Sequence, residues 1–446
     1  MWEEVARSAA ADAGAPGAIS DLDSLQVVYC QSWEYDDPTA RLAARLGADP
    51  SHRSYSGIGG SVPVRLLAGV GSAMAGGELD LALIVGGEAL ATRRHLPDPA
   101  WSHPPEAPSP FPITIDRNEA RHGIFQAYLT FALLDSARRR HLGRSMAEHQ
   151  GALGLLLAPL SEVAASDPEH AWFPIARDAA TISVPSPSNR MVATPYTKYM
   201  TAIMDVDMAA GLLVATESRA DALGVPVDNR VYLLGSGTAE EPATMATRPD
   251  LWRSPAMEAA TVAALGPHTV DDVGHLDLYS CFASSLSFAR DALGISTDRP
   301  LTVTGGLPYH GGPGSNYTTH ALAAMVETLR RDPGSPGLVS GIGMHMTSHA
   351  AALLSTRPGP MSPPVARGEA PAPVALTTSV DGTADVAAWS TTYGRQGPEW
   401  TALICELADG TRCYARLEEP PADDEDLFGQ TVAVTTSDTG VTTAKR

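Results

Sequence analysis

Residues 301–320, LTVTGGLPYHGGPGSNYTTH, carry the densest set of side chains that could do chemistry. Five glycines and two prolines fall within residues 305–314. At Gly305, Gly306, Gly311 and Gly312 the missing Cβ lets backbone lie close against a ligand. Such clusters also serve simply as tight turns between strand and helix. Tyr309, His310, Asn316, Tyr317 and His320 converge on this one and make it a site candidate, since phenols and imidazoles so placed can move protons. Three further groups qualify: Tyr279-Ser280-Cys281-Phe282, the pair His345 and His349, and Arg138-Arg139-Arg140-His141. The two histidines could share a helix face. They lack a third ligand, so no metal is expected, and His349 is read as a pocket residue. Cys281 is read as core. The arginines either complement a helix C-terminus or form a phosphate contact.

Positioning these groups requires alternating helices and strands, and the hydrophobic pattern provides them. Ser61 and Pro63 suit the start of a helix whose apolar face is Leu66, Leu67, Val70, Ala73 and Met74. Gly76 and Gly77 stop it, and residues 79–85 form an apolar strand of the kind covered on both faces. A similar strand, helix and strand recur at 212–216, 219–223 and 231–234, which predicts an α/β core. A strand at 275–279, a helix at 321–329 and a strand at 337–340 complete it. Residues 119–141 read as one helix of an insertion. After a proline-rich linker, 357–373, five short β-rich runs at 374–379, 385–392, 401–407, 411–417 and 431–434 predict a small barrel that folds by itself.

A chain of 446 residues with 44% hydrophobic content can hold two or three domains. A formal charge of −20 excludes broad binding to nucleic acid or anionic membrane, and the acidic stretch 423–426 extends that to the barrel. The four cysteines contain no C-x-x-C pair, which fits a reduced compartment. With no signal-like start and no long apolar run, a cytoplasmic location is expected.

The stretch TGGLPYHGGPG resembles the C-terminal GG-x-x-x-x-GHP segment of the thiolase superfamily, in which the histidine activates the nucleophile or acyl acceptor. The order of other segments agrees over residues 1–360, most closely with actinobacterial thiolase-like proteins that carry an added C-terminal domain. The resemblance implies an α/β, duplicated αβαβα layered core plus a small C-terminal β-barrel of OB-like type. Its parts would be residues 1–99 with 196–230, an insertion at 100–195, a second half at 231–356, a linker at 357–373 and the barrel at 374–446. The family normally places one strand ahead of the helix at 2–13, which implies either a first methionine placed too late or a modified fold.

The resemblance implies coenzyme A or an acyl-CoA as ligand and no other cofactor. Pantetheine would run along Gly305, Gly306, Gly311 and Gly312, and the phosphates would meet Arg138, Arg139 and Arg140. The family's catalytic set is nevertheless missing. The nucleophilic cysteine corresponds to Gly60, the oxyanion-hole asparagine or histidine to Tyr279, the histidine to Gly312 with His310 two residues away, and the second cysteine to Gly341. Three readings follow: a nominal acetyl-CoA acetyltransferase-like acyltransferase, an acyl-CoA carbon–carbon lyase of retro-aldol type working through tyrosines, and a noncatalytic CoA-ester binding protein. Tyr279, His310 and His349 are the candidate catalytic residues. A homodimer or a small barrel-type partner is the assembly the family implies.

Overall fold

The run Leu81-Ala82-Leu83-Ile84-Val85 sets the layering of the molecule. A period of two sends Leu81, Leu83 and Val85 to one face and Ala82 and Ile84 to the other, and all five are fully buried. The first face packs under the helices Trp2–Asp12 and Pro38–Leu46. The second joins the main core, with Val64, Leu67 and Val70 of the helix Val62–Ala75. The computed structural model describes residues 1–96, 116–361, 372–422 and 425–446. Most of the expected linker (362–371) and the start of the acidic stretch (423–424) lie outside the described residues, as does 97–115.

Strands β1 (Ser24–Val27), β2 (His52–Tyr55) and β3 (Leu81–Ala89) precede the insertion; β4 (Met191–Ala193) and β5 (Tyr196–Thr197) end it, and β6 (Asp207–Ala215) returns to the core. β7 (Tyr232–Glu240), β8 (His275–Asp277), β9 (Gly337–Gly343) and β10 (Ser348–Ser355) follow. The first sheet has the order β2-β1-β3-β6 and the second β7-β10-β9-β8. In each, a parallel pair (β1 with β3, β8 with β9) is followed by an antiparallel neighbour (β6, β10). The helices Val62–Ala75 and Tyr317–Arg331 lie between the sheets, and Pro255–Leu265 and Ala283–Leu293 cover the far side. The duplicated five-layer core expected from the sequence is therefore present.

The C-terminal part is a closed barrel of β11 (Asp381–Gly394), β12 (Gly397–Glu406), β13 (Arg412–Leu417), β14 (Thr431–Thr436) and β15 (Thr442–Lys445). Two expectations are corrected here. Residues 374–379 form no strand beyond a single bridge, Leu376 to Arg412, and the fifth strand is β15. Strand β15 is short and rich in threonine, and its buried residues, Thr442 and Ala444, carry no apolar pattern in sequence. The barrel also shares its surface with the core. Leu403 and Cys405 of β12 and Cys413 and Ala415 of β13 point inward, whereas the alternate residues Ala402, Ile404 and Tyr414 join the main core. A further bridge, Thr392 to Ala193, ties the barrel to β4.

The helix expected over 119–141 is broken into Arg117–Arg121 and Ala127–His141. Gly123 takes φ +76° at the break, against the Trp400 ring of the barrel. The expected shared helix face of His345 and His349 is also absent. His349 lies in β10, and residues 344–347 turn between β9 and β10 with Met344 and Met346 at positive φ. Ser61 begins its helix without a side-chain capping bond; its hydroxyl instead meets Ser348 Oγ at 3.0 Å. No helix among the described residues is long and apolar enough to cross a membrane.

Glu119, Tyr414 and the turn at 245–246 form the polar joint between insertion, barrel and core. The Tyr414 hydroxyl donates to Glu119 Oε1, which also accepts from Met245 N–H at 2.8 Å, and Ala246 N–H donates to Tyr414 Oη at 2.9 Å. Burial pushes the Glu119 carboxyl upward. Tyr414→Phe leaves the Ala246 N–H unmatched and removes one of the two donors to Glu119 Oε1, and should lower stability by about 1–3 kcal/mol. Chemical denaturation with unchanged cooperativity is the measurement; a variant as stable as the parent would mean the joint contributes nothing.

Candidate functional site

Strand β8 ends on Asp277, whose carboxylate is fully buried. It accepts from Thr302 Oγ1 at 2.8 Å, Val303 N–H at 3.0 Å, Thr304 N–H at 3.1 Å and Thr304 Oγ1 at 2.9 Å, and Tyr317 Oη donates to its other oxygen at 3.1 Å. Five donors thus hold one carboxylate, and through it the entry to the glycine turn and the first residue of the helix Tyr317–Arg331. Burial raises the Asp277 pKa and the donors oppose that rise. Within the turn Gly305, Gly306 and Gly311 take φ +103°, +76° and +119°, values that other residues rarely adopt. Gly312 donates its N–H to the Ile203 carbonyl at 2.9 Å.

Two residues beyond Asp277, Tyr279 crosses to the start of the helix Val62–Ala75. A Cβ on Gly60 would overlap the Tyr279 hydroxyl and the adjoining ring carbons. The phenol therefore fills the space into which a side chain at position 60 would project. A Cβ on Gly341 would lie 2.7 Å from the Gly60 carbonyl oxygen and 2.9 Å from Ser61 Cα, so that position is closed as well. Thr318 Oγ1 donates to the Gly60 carbonyl, and Tyr279 N–H to Ser340 Oγ at 3.0 Å. Tyr279 is 6% exposed, and burial drives its pKa well above 10, so the phenol stays protonated at neutral pH. The structure brings Gly60, Tyr279 and Gly341 into one contact, with no thiol among them.

Tyr317 stands edge-on to Tyr279 at 5.7 Å and to His310 at 6.0 Å. His310 is 3% exposed, edge-on to His320 at 5.4 Å, and neither ring nitrogen has a partner among the described residues. Burial lowers its pKa to about 4, which keeps the imidazole neutral. Tyr309 is buried with its hydroxyl on the Tyr199 carbonyl at 3.0 Å. His349 has other neighbours: Nε2 meets Ser254 Oγ and the Met346 carbonyl, each at 3.2 Å, and burial, with the Arg248 guanidinium nearby, lowers its pKa to about 3. Cys281 and Cys30 are buried thiols pushed up to about 12, so neither is a thiolate at neutral pH.

The arginine cluster is engaged within the fold. Arg138 pairs with Asp291 at 2.6 Å and Arg139 with Asp426 at 2.7 Å, both guanidinium groups being almost fully buried, while Arg140 donates to the Val386 carbonyl at 3.0 Å. Arg139 also lies 4.9 Å from the Phe428 ring. The supporting groups Asp277, Thr302, Thr304, Thr318 and Ser340 escaped the sequence reading. A carboxylate inside an apolar strand, as in His275-Leu276-Asp277-Leu278, is the one signal that could have found them.

Solved structures share this fold. A monomeric SCP2-thiolase-like protein type 1 from Mycobacterium smegmatis is 30% identical, with a TM-score of 0.86 over 100% of this chain and 95% of that one. The dimeric peroxisomal thiolase of Saccharomyces cerevisiae is 13% identical, with a TM-score of 0.54 over 80% of this chain and 93% of that one. The Ltp2-ChsH2(DUF35) aldolase is 16% identical, with a TM-score of 0.62 over 79% and 92% respectively. The last two likenesses concern the fold alone. No protein-family model and no curated protein matches the sequence.

Two measurements test the site. Gly60→Ala should cost about 1–3 kcal/mol through overpacking, and in a Tyr279→Ala background the same change should cost markedly less. Equal costs would show that the phenol does not occupy that space. For the histidine, the unfolded imidazole titrates near 6.5 and the folded one near 4. Between these values the unfolded chain binds the extra proton, so the contribution is complete above pH 6.5 and is lost as pH falls through 4. His310→Leu should flatten the loss of stability between pH 7 and pH 4.5 by up to about 3 kcal/mol, read from denaturation midpoints.

Proposed function

Starting from the membership of this chain in the thiolase superfamily, beside the SCP2-thiolase-like proteins, we propose that it holds a coenzyme A ester and does not form a covalent acyl-enzyme. The observation carrying this reading is the Tyr279 phenol lying in the side-chain space of Gly60. A thiolase reaction needs a nucleophile there; a protonated phenol can only donate a hydrogen bond to the thioester oxygen. Gly305, Gly306, Gly311 and Gly312 remain the proposed path of the pantetheine arm. With Arg138 and Arg139 already in ion pairs, Arg140 is the member of the cluster best able to take a phosphate.

A second reading, acyl-CoA carbon–carbon cleavage, draws support from the same phenol. In a retro-aldol step a base removes the proton of a β-hydroxyl, the Cα–Cβ bond breaks, and its electron pair moves toward the thioester oxygen as an enolate. A buried phenol held protonated is suited to meet that oxygen. One solved structure of the same fold is an aldolase, which is compatible with this reading. The fused barrel would then take the accessory role of a separate small barrel partner.

Acetoacetyl-CoA with free CoA should show no loss of enolate absorbance on addition of the protein, and turnover at about 1 per second or faster would overturn the noncovalent reading. Acyl-CoA esters should raise the melting temperature, in line with about 2.7 kcal/mol at a hundredfold excess over Kd; absence of any shift across chain lengths would remove the ligand assignment. Where cleavage of a β-hydroxyacyl-CoA is observed, Tyr279→Phe should slow it by about 10²–10⁴. A change of less than tenfold would remove Tyr279 from the step.

A further inference from the structure

All four cysteines of the chain are free and buried. Two of them meet oxygen: Cys30 donates to Glu88 Oε2 at 3.6 Å, and Cys281 shares a hydrogen bond with Ser285 Oγ at 3.7 Å. The other two, Cys405 of β12 and Cys413 of β13, stand directly opposite each other in the antiparallel ladder. Leu407 N–H donates to the Thr411 carbonyl at 2.8 Å, so 407 and 411 are a hydrogen-bonded pair. Such pairs alternate along a ladder, which makes 405 and 413 another of the same kind, with Cα atoms about 5.5 Å apart. A disulfide requires about 4.4–6.8 Å between its Cα atoms.

A buried thiol by itself behaves as a small inert hydrophobe. This pair differs because both side chains turn to the same side, the interior of the barrel, and meet there. The Cys405 thiol hydrogen-bonds to the Cys413 sulfur, which lowers the pKa of Cys413 and raises that of Cys405. One sulfur is thereby favoured as the attacking thiolate and its neighbour is in place to resolve the product. Two features loosen the surroundings. Residues 408–410 of the connecting turn are exposed. On the other side of Cys405 the β11–β12 ladder shifts register between Val386 and Ala388, and Val386 N–H donates to the Gln430 carbonyl at 3.2 Å. A ladder interrupted at that point opens locally at lower cost than an unbroken one and admits a small oxidant.

We infer that Cys405 and Cys413 are a redox pair that a hydroperoxide closes to a disulfide. The Cys413 sulfur attacks a peroxide oxygen, the O–O bond breaks, and the departing oxygen leaves as water or an alcohol with the proton of the Cys413 thiol. The Cys405 sulfur then attacks the sulfenic sulfur, the S–O bond breaks, and the hydroxyl leaves as water with the Cys405 proton. Two thiols are oxidised to one disulfide and one hydroperoxide is reduced to an alcohol and water. The cross-link bears on the joint between barrel and core, because Arg412 and Tyr414 flank Cys413. Arg412 donates to the Ala246 and Arg248 carbonyls at 3.2 and 2.6 Å, and Tyr414 Oη accepts from Ala246 N–H at 2.9 Å. Tying β13 to β12 at this point fixes the strand that grips the turn at 245–248.

The test exposes the folded full chain to hydrogen peroxide. After quenching, unfolding and alkylation, two of the four thiols should be lost, a peptide map should join residue 405 to residue 413, and dithiothreitol should restore both thiols. The double variant Cys30→Ala, Cys281→Ala should still form the link, and Cys413→Ser should not. Cys405→Ala gives the same reading where the serine variant does not fold. The oxidised chain should melt at a higher temperature, with slower amide exchange at Ala246. Four intact thiols, sulfinic acid without a cross-link, or a link that forms only in the unfolded chain overturns the pair. A cross-linked chain that melts no higher than the reduced one overturns its effect on the joint.

Discussion

A carboxylate removed from water must be met by donors, and Asp277 meets this condition with five of them. They come from the turn that leaves residue 301 and from the first residue of the helix Tyr317–Arg331. The network therefore fixes where the second sheet delivers the chain into the middle layer. Tyr279, two residues on, inherits its direction from the same strand end. Its ring packs edge-on against Tyr317, which is itself held by Asp277. The glycine turn, the two phenols and the neutral His310 form one assembly whose common anchor is a single buried charge.

The chemistry available to this assembly differs in kind from that of a thiolate at a helix start. Tyr279, Tyr317 and the buried thiols of Cys281 and Cys30 are held in their protonated forms by desolvation, and His310 is held in its neutral form by the same cause. A centre made of neutral groups can orient a polar ligand and share protons with it. Its one carboxylate, Asp277, is taken up by five donors, and neither buried thiol is a thiolate that could open a thioester.

The core was legible because its elements are strongly patterned. Leu81–Val85 declared a strand covered on both faces, and the apolar spacing of Leu66, Leu67 and Val70 declared the helix beneath it. The barrel's presence was legible for the same reason, but its membership was not, since β15 owes its place to closure of the ring rather than to apolar residues. His345 and His349 misled in another way: a spacing of four fits a helix, whereas the local backbone is a turn built on two residues at positive φ. The empty positions Gly60 and Gly341 could be located by counting along the chain. What fills the space around them could not, because Tyr279 reaches Gly60 from more than two hundred residues away.

The contact between Tyr279 and Gly60 also constrains how this sequence can change. A cysteine at position 60 has no room while the phenol is in place, so placing one there demands that residue 279 shrink first. Gly341 is shut by the Gly60 carbonyl itself and is released only by moving the backbone. The substitution at position 60 carries a folding cost until residue 279 has become smaller. A side chain at position 60 is thereby out of reach of a single substitution.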